Sequence, residues 1–144
     1  MNEIKIGLVG CSKTKLSTPA PARHLYQGQL FKKSAIYCEM VYDGLIILSA
    51  KYGALYPETV VAPYDVTITD MNAKQAQEWA IKTAGQLESM CNENTIFFIH
   101  AGKRYQIIEE HLHRCVVVAT PAGGIGSKLK WYNQQINLKR MNSK

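Results

Sequence analysis

The sequence predicts a three-layer α/β/α sandwich on a four-stranded parallel sheet of order 2-1-3-4. Short apolar runs alternate with longer segments of helical period, in the order βαβαβαβα. The last three runs are nearly continuous in apolar character, as strands buried on both faces are. Right-handed crossovers then place helices on both sides of the sheet. With 144 residues, 47% of them hydrophobic, the chain fits one domain over 1–144.

The first strand is Ile4-Lys5-Ile6-Gly7-Leu8-Val9-Gly10. A helix over 31–43 carries Phe31, Ala35, Cys38, Met40 and Val41, and the second strand is Leu45-Ile46-Ile47-Leu48. A long irregular stretch over 50–71, rich in Pro, Tyr, Thr and Asp, follows; a loop of that length in a compact domain is usually functional. The helix over 73–91 sets Ala73, Ala76, Ala80, Ala84, Leu87 and Cys91 three and four apart, one apolar stripe. Asn72, with Gln75 three positions later, makes a capping box at its start. The third strand, Thr95-Ile96-Phe97-Phe98-Ile99, leads to a helix over 103–113. The fourth, Cys115-Val116-Val117-Val118-Ala119, leads to a helix over 126–138 with Leu129, Tyr132 and Ile136 inward.

Four polar or glycine-rich segments stand directly after the four strands: Cys11-Ser12-Lys13-Thr14-Lys15, Ser49-Ala50-Lys51-Tyr52-Gly53, His100-Ala101-Gly102-Lys103-Arg104-Tyr105 and Pro121-Ala122-Gly123-Gly124-Ile125-Gly126. In a parallel sheet all strands end at one edge, where ligands bind, so these segments are expected to meet. The first offers backbone N–H groups and lysines to an anion, without the spacing of a P-loop. Pro63-Tyr64-Asp65 adds an aromatic platform for a base and a carboxylate able to take a proton. Lys103 and Tyr105 open a helix, and Gly123 and Gly124 permit close backbone approach.

Lys and Arg number 17 against 11 Asp and Glu, a formal charge of +6, which favours a phosphorylated or polyanionic partner. The basic residues gather at the strand exits, at Lys32-Lys33, and at Lys128, Lys130, Lys139, Arg140 and Lys144. No apolar run approaches the roughly 18 residues of a membrane helix. The N-terminus enters a strand instead of a signal peptide. Cys11, Cys38, Cys91 and Cys115 form no CxxC pair, and His111-Leu112-His113 points its imidazoles to different sides. Neither metal nor cofactor is expected, and free thiols point to a reducing cytoplasm.

The CSxxK, LY-x-G-x-x-F, LSAKYG and PYD elements resemble a small, largely uncharacterised bacterial and phage domain family. They stand here at Cys11 to Lys15, Leu25 to Phe31, Leu48 to Gly53 and Pro63 to Asp65, and HAGxxY and P-x-x-G-x-G elements match downstream. More remotely, the first loop and the Tyr-Asp element resemble the catalytic domain of archaeosine synthase, which has a uracil-DNA-glycosylase-like fold and a CSxKKPY loop. There a lysine attacks the nitrile of a 7-deazaguanine base on RNA, which would place it at Lys13 or Lys15; this sequence departs from that motif where Thr14 follows Lys13 and lacks the Pro-Tyr that follows. The resemblance implies a modified-base or nucleoside pocket.

Two functions follow. One is an enzyme acting on a base, nucleoside or nucleotide, free or in nucleic acid. In it Lys13 or Lys15 is a nucleophile or electrostatic stabiliser and Asp65 a general base. Tyr64 is a platform, and Cys11, Ser12, Ser49, Lys51, Tyr52, His100, Gly102, Lys103, Tyr105, Gly123 and Gly124 line the binding site. The other is a non-catalytic binder of nucleic acid or nucleotide using the same crevice.

Overall fold

The computed structural model describes residues 3–142. The chain runs β1 (Ile4–Gly10), β2 (Ala20–Pro21), α1 (Ala22–Leu25), α2 (Gln29–Val41), β3 (Gly44–Ser49), β4 (Gly53–Leu55), β5 (Val60–Val61), α3 (Ala73–Met90), β6 (Thr95–His100), α4 (Lys103–Gln106), β7 (Cys115–Val118) and α5 (Ile125–Asn142). Single 3-10 turns lie at Ile68–Asp70 and Ile107–His111. Lys144 falls outside the described residues.

Successive side chains of a strand point to opposite faces, and β1 shows the consequence. Leu8 packs with Ile46, Phe97 and Ile99 against Trp79, Ala80, Ala84 and Leu87 of α3. Its neighbour Val9 packs with Leu45 and Ile47 against Phe31, Ala35 and Cys38 of α2. Both Leu8 and Val9 are fully buried, so β1, polar only at Lys5 near its start, carries no further polar side chain until it leaves the sheet.

The main sheet has five strands, ordered β4-β3-β1-β6-β7, where four were expected. The four parallel strands keep the order 2-1-3-4 in their own sequence. The fifth, β4, is the antiparallel return of β3, pairing Ser49 with Gly53 and Ile47 with Leu55. Gly53 turns the chain at φ 78°, in the left-handed region where a side chain is strained. Gln86 of α3 secures the return by accepting from Ala54 N at 2.8 Å. Three residues are too few to show alternation, so the strand was hidden in the expected loop over 50–71. That loop also holds β5, which pairs with β2 in a separate two-stranded sheet.

Two further expectations are corrected. The last parallel strand is not buried on both faces: Cys115 is exposed, and Val117 and Val118 are 41% and 43% exposed. An apolar run reads alike at the centre and edge of a sheet, and β7 is the edge. The helix expected over 103–113 is α4 followed by the 3-10 turn, with β-branched Ile107 and Ile108 adjacent at the change. The capping box of α3 is as expected: Gln75 N donates to Asn72 Oδ1 at 2.8 Å and Asn72 N to Gln75 Oε1 at 3.0 Å.

His100, the last residue of β6, ties two helices to the sheet. Its Nε2 lies 2.7 Å from the hydroxyl of Tyr42, which caps α2, and its Nδ1 2.7 Å from that of Tyr132 on α5. A neutral imidazole serves both, donating from one nitrogen and accepting at the other. Burial lowers its pKa from 6.5 to about 4. The unfolded chain therefore takes up this proton first as pH falls. The residue's contribution to stability is full above about pH 6.5 and is lost from there towards pH 4.

We expect NMR titration to show the His100 ring neutral at pH 5, and the protein to lose about 2 kcal/mol of stability through this residue between pH 7 and pH 5. A ring titrating near 6.5 would contradict the buried relay.

Candidate functional site

The loop after β1 continues the sheet by one bond, Cys11 N donating to Leu48 O at 3.0 Å. It then runs beside the segment 25–28. Gln27 N donates to Thr14 O and Leu16 N to Leu25 O, both at 2.8 Å, and Lys15 bridges to Tyr26. The Ser12 hydroxyl accepts from Gly28 N at 3.1 Å and donates to Thr14 O at 2.8 Å. A side chain at Gly28 would set its Cβ 2.8 Å from Ser12 Cβ, so only glycine lets these backbones lie this close.

Lys13 and Lys15 part company here. The Lys15 ammonium donates to Lys13 O at 3.1 Å and lies over the ring of Tyr64, 4.4 Å from its centroid, with Tyr26 at 5.8 Å. This is a cation–π contact that fastens the loop down. The Lys13 side chain is exposed and lines the cleft beside it.

Ser49 is fully buried at the end of β3. Its Oγ accepts from Lys51 N at 3.2 Å and Tyr52 N at 3.0 Å, and lies 2.7 Å from Tyr64 OH. Two lone pairs are thus taken, so the serine proton goes to Tyr64. Tyr64 in turn donates to Tyr26 OH at 2.6 Å. Burial raises the pKa of both phenols, Tyr26 to about 12. With its hydroxyl bonded and Lys15 over one face, Tyr64 is placed as a support for the loop. The next residue, Asp65, is exposed on the cleft wall.

The β6 exit completes the edge. Ala101 N donates to Thr120 Oγ1 at 2.9 Å, and Gln106 Nε2 to Ala101 O at 2.9 Å. Tyr105 on α4 turns its hydroxyl to Cys11 Sγ at 3.1 Å and packs its ring in a T-shaped contact with Trp79. Burial raises its pKa above the ordinary phenol range.

Two clefts flank this ridge of Cys11, Ser12, Lys13 and Tyr105. One, about 430 Å³, lies between the ridge and the segment 65–70, with Asp65, Thr67, Thr69 and Asp70 on its far wall. The other, about 400 Å³, lies between the ridge and the starts of α2, α4 and α5, with Gly28, Leu30, Phe31, Gly102, Ile125 and Leu129. Of the expected site residues, Cys11, Ser12, Lys13, Asp65, His100, Gly102 and Tyr105 line one cleft or the other. Ser49, Tyr64 and Lys15 stand behind as supports. Lys51, over the ring of Tyr52, and Lys103 are exposed and line neither, nor do Gly123 and Gly124. Sequence reasoning missed Thr67, Thr69 and Asp70, whose only signal was the polar composition of the loop, Leu30, just ahead of the expected helix over 31–43, and Leu129, which read as the inward face of the last helix. Among the described residues no group of three or more His, Cys, Asp or Glu could hold a metal ion, and no helix is long and apolar enough to cross a membrane.

Residues 6–134 match the model of a family of unknown function, DUF6884, and the chain belongs to that family. No curated protein matches it.

Three variants test how the loop is held. Gly28→Ala is expected to cost about 1–3 kcal/mol by overpacking against Ser12, and Lys15→Ala on the order of 1 kcal/mol. Lys13→Ala should leave stability within about 0.5 kcal/mol, as exposed substitutions do. Urea denaturation of the three checks the division of labour; a Lys13→Ala loss as large as that of Lys15→Ala would undo it.

Proposed function

We propose that this member of a family of unknown function is an enzyme acting on a nucleobase, nucleoside or nucleotide, free or within nucleic acid, by cleaving or transferring at the N-glycosidic bond or by modifying the base. One observation carries the reading: Lys13 and Asp65 stand on the walls of a single cleft, with Ser12 and Tyr105 beside them. Glycosidic cleavage develops positive charge on the sugar and negative charge on the leaving base. A carboxylate on one side and an ammonium on the other stabilise both ends. In hydrolysis Asp65 takes a proton from water as the oxygen adds to C1′. The C1′–N bond breaks with its electron pair on the base, which Lys13 stabilises until it is protonated.

The likeness of the first loop to the archaeosine synthase catalytic domain supports a base-handling lysine. Between the two lysines we assign the role to Lys13, because Lys15 is occupied by Tyr64 and Lys13 O. The reading takes the two helix-covered faces as the outer layers of an α/β/α sandwich and places the protein in the cytoplasm. A second reading, a non-catalytic binder of nucleotide or nucleic acid, draws on the exposed Lys51, Lys103 and Arg104 near the same edge.

Asp65→Asn is expected to lower turnover about a hundredfold or more while leaving ligand affinity within a few fold. Lys13→Ala should weaken binding and turnover together. The assay follows base release or modification from a panel of nucleosides, nucleotides and oligonucleotides, with binding measured in parallel at two salt concentrations. Should the wild type turn nothing over, and the variants change affinity alone, the protein is a binder.

A further inference from the structure

The two clefts differ in chemistry while sharing a wall. Cys11, Ser12, Lys13 and Tyr105 line both. Beyond that ridge, the cleft at 65–70 presents the carboxylates of Asp65 and Asp70 and the mutually bonded hydroxyls of Thr67 and Thr69, with Val66 and Ile68 between them. The cleft on the other side has no carboxylate among its lining residues. Its one Lys or Arg is Lys13, and its His100 is neutral with both ring nitrogens already bonded. Its remaining walls are mostly glycine and apolar residues, among them Gly28, Gly102, Leu30 and Leu129, with Thr14, Gln29 and Ser34 as neutral polar groups.

A set of acceptors suits a polyol, whose hydroxyls donate. A slot of glycine and aliphatic residues suits a flat apolar ring, with a few polar groups at its rim to fix orientation. Each volume is within the usual range of about 300–1,000 Å³ for small-molecule sites. We infer that the two clefts are the halves of one bipartite nucleoside site, the base in the slot beside Leu30, Gly102 and Leu129 and the ribose in the cleft of Asp65 and Asp70. The bond between them then crosses the Ser12–Lys13 ridge. This deepens the reading above and rests on it. It adds a direction to the ligand: the sugar lies on the carboxylate side and the base beyond the lysine. It also assigns base selection to residues that carry no chemistry.

The halves can be closed separately. A Cβ at Gly102 would meet nothing within 4 Å, and its backbone, φ −65° and ψ 168°, admits any residue. Gly102→Leu therefore fills the slot without disturbing the fold, and Leu129→Phe narrows it from the opposite helix. Asp70→Asn keeps the shape of the other cleft and removes a charge.

Affinities of the four ribonucleosides and their free bases are measured by ligand-observed NMR for the wild type and each variant, with thermal melting as a check on folding. For the nucleoside preferred by the wild type, we expect binding at least tenfold tighter than for its base. Gly102→Leu and Leu129→Phe should weaken nucleoside and base tenfold or more. Asp70→Asn should weaken the nucleoside alone, shrinking its advantage over the base. If slot variants that fold leave nucleoside affinity within twofold, or if Asp70→Asn weakens base and nucleoside equally, the bipartite site is overturned while the nucleoside reading stands. Absence of any nucleoside or base binding to the wild type overturns both.

Discussion

The site depends on the buried hydroxyl of Ser49. A polar group with no access to water must find its partners within the protein, and failing to do so costs about 1–3 kcal/mol. Ser49 accepts two backbone N–H groups of its own turn and passes its proton to Tyr64, which passes one to Tyr26. Trp79 of α3 adds a bond to the Ser49 carbonyl at 2.9 Å. The chain of three hydroxyls joins the end of β3, the segment before Asp65 and the segment beside the first loop. None of these is near another in sequence, and the direction of the bonds leaves one arrangement that satisfies the serine.

That knot explains why conspicuous polar residues stand behind the site instead of in it. Tyr64 presents a ring that would stack on a base, yet its hydroxyl and one face are already used, and in using them it fixes Asp65 on the cleft wall. Lys15 has the charge expected of a site lysine, yet spends it on the Tyr64 ring and a carbonyl. Such groups fix geometry, and a preorganised cleft needs its donors and charges held before the ligand arrives. Lys13 and Asp65, exposed on opposite walls, are what the supports leave available.

The positive surplus has a local meaning at this edge. Asp65 and Asp70 sit in one cleft, while Lys13 stands on the ridge that both clefts share. The carboxylates thus lie on the 65–70 wall alone, and Lys13 is the charged side chain that the two clefts share.

Much of this was readable in order along the chain. Continuous apolar runs such as Phe97-Phe98-Ile99 gave the parallel strands and their sequence of crossovers, and the Asn72–Gln75 pair marked the start of α3, because strand burial and helix capping are local patterns. That the polar segments after β1 and β6 share an edge also followed, since parallel strands end together. Other features were not local. The strand Gly53–Leu55 is defined by its partner and by Gln86, and the edge position of β7 by a strand order that apolar content does not reveal. Lys13 and Lys15 are the same residue type two positions apart. Which one faces the cleft was decided by where Tyr64, fifty residues downstream, comes to rest. The sequence by itself determined which residues leave the sheet at the carboxyl ends of its parallel strands; only the tertiary structure decided which of them are consumed as supports, because hydrogen bonds and cation–π contacts are set by distances between segments remote along the chain.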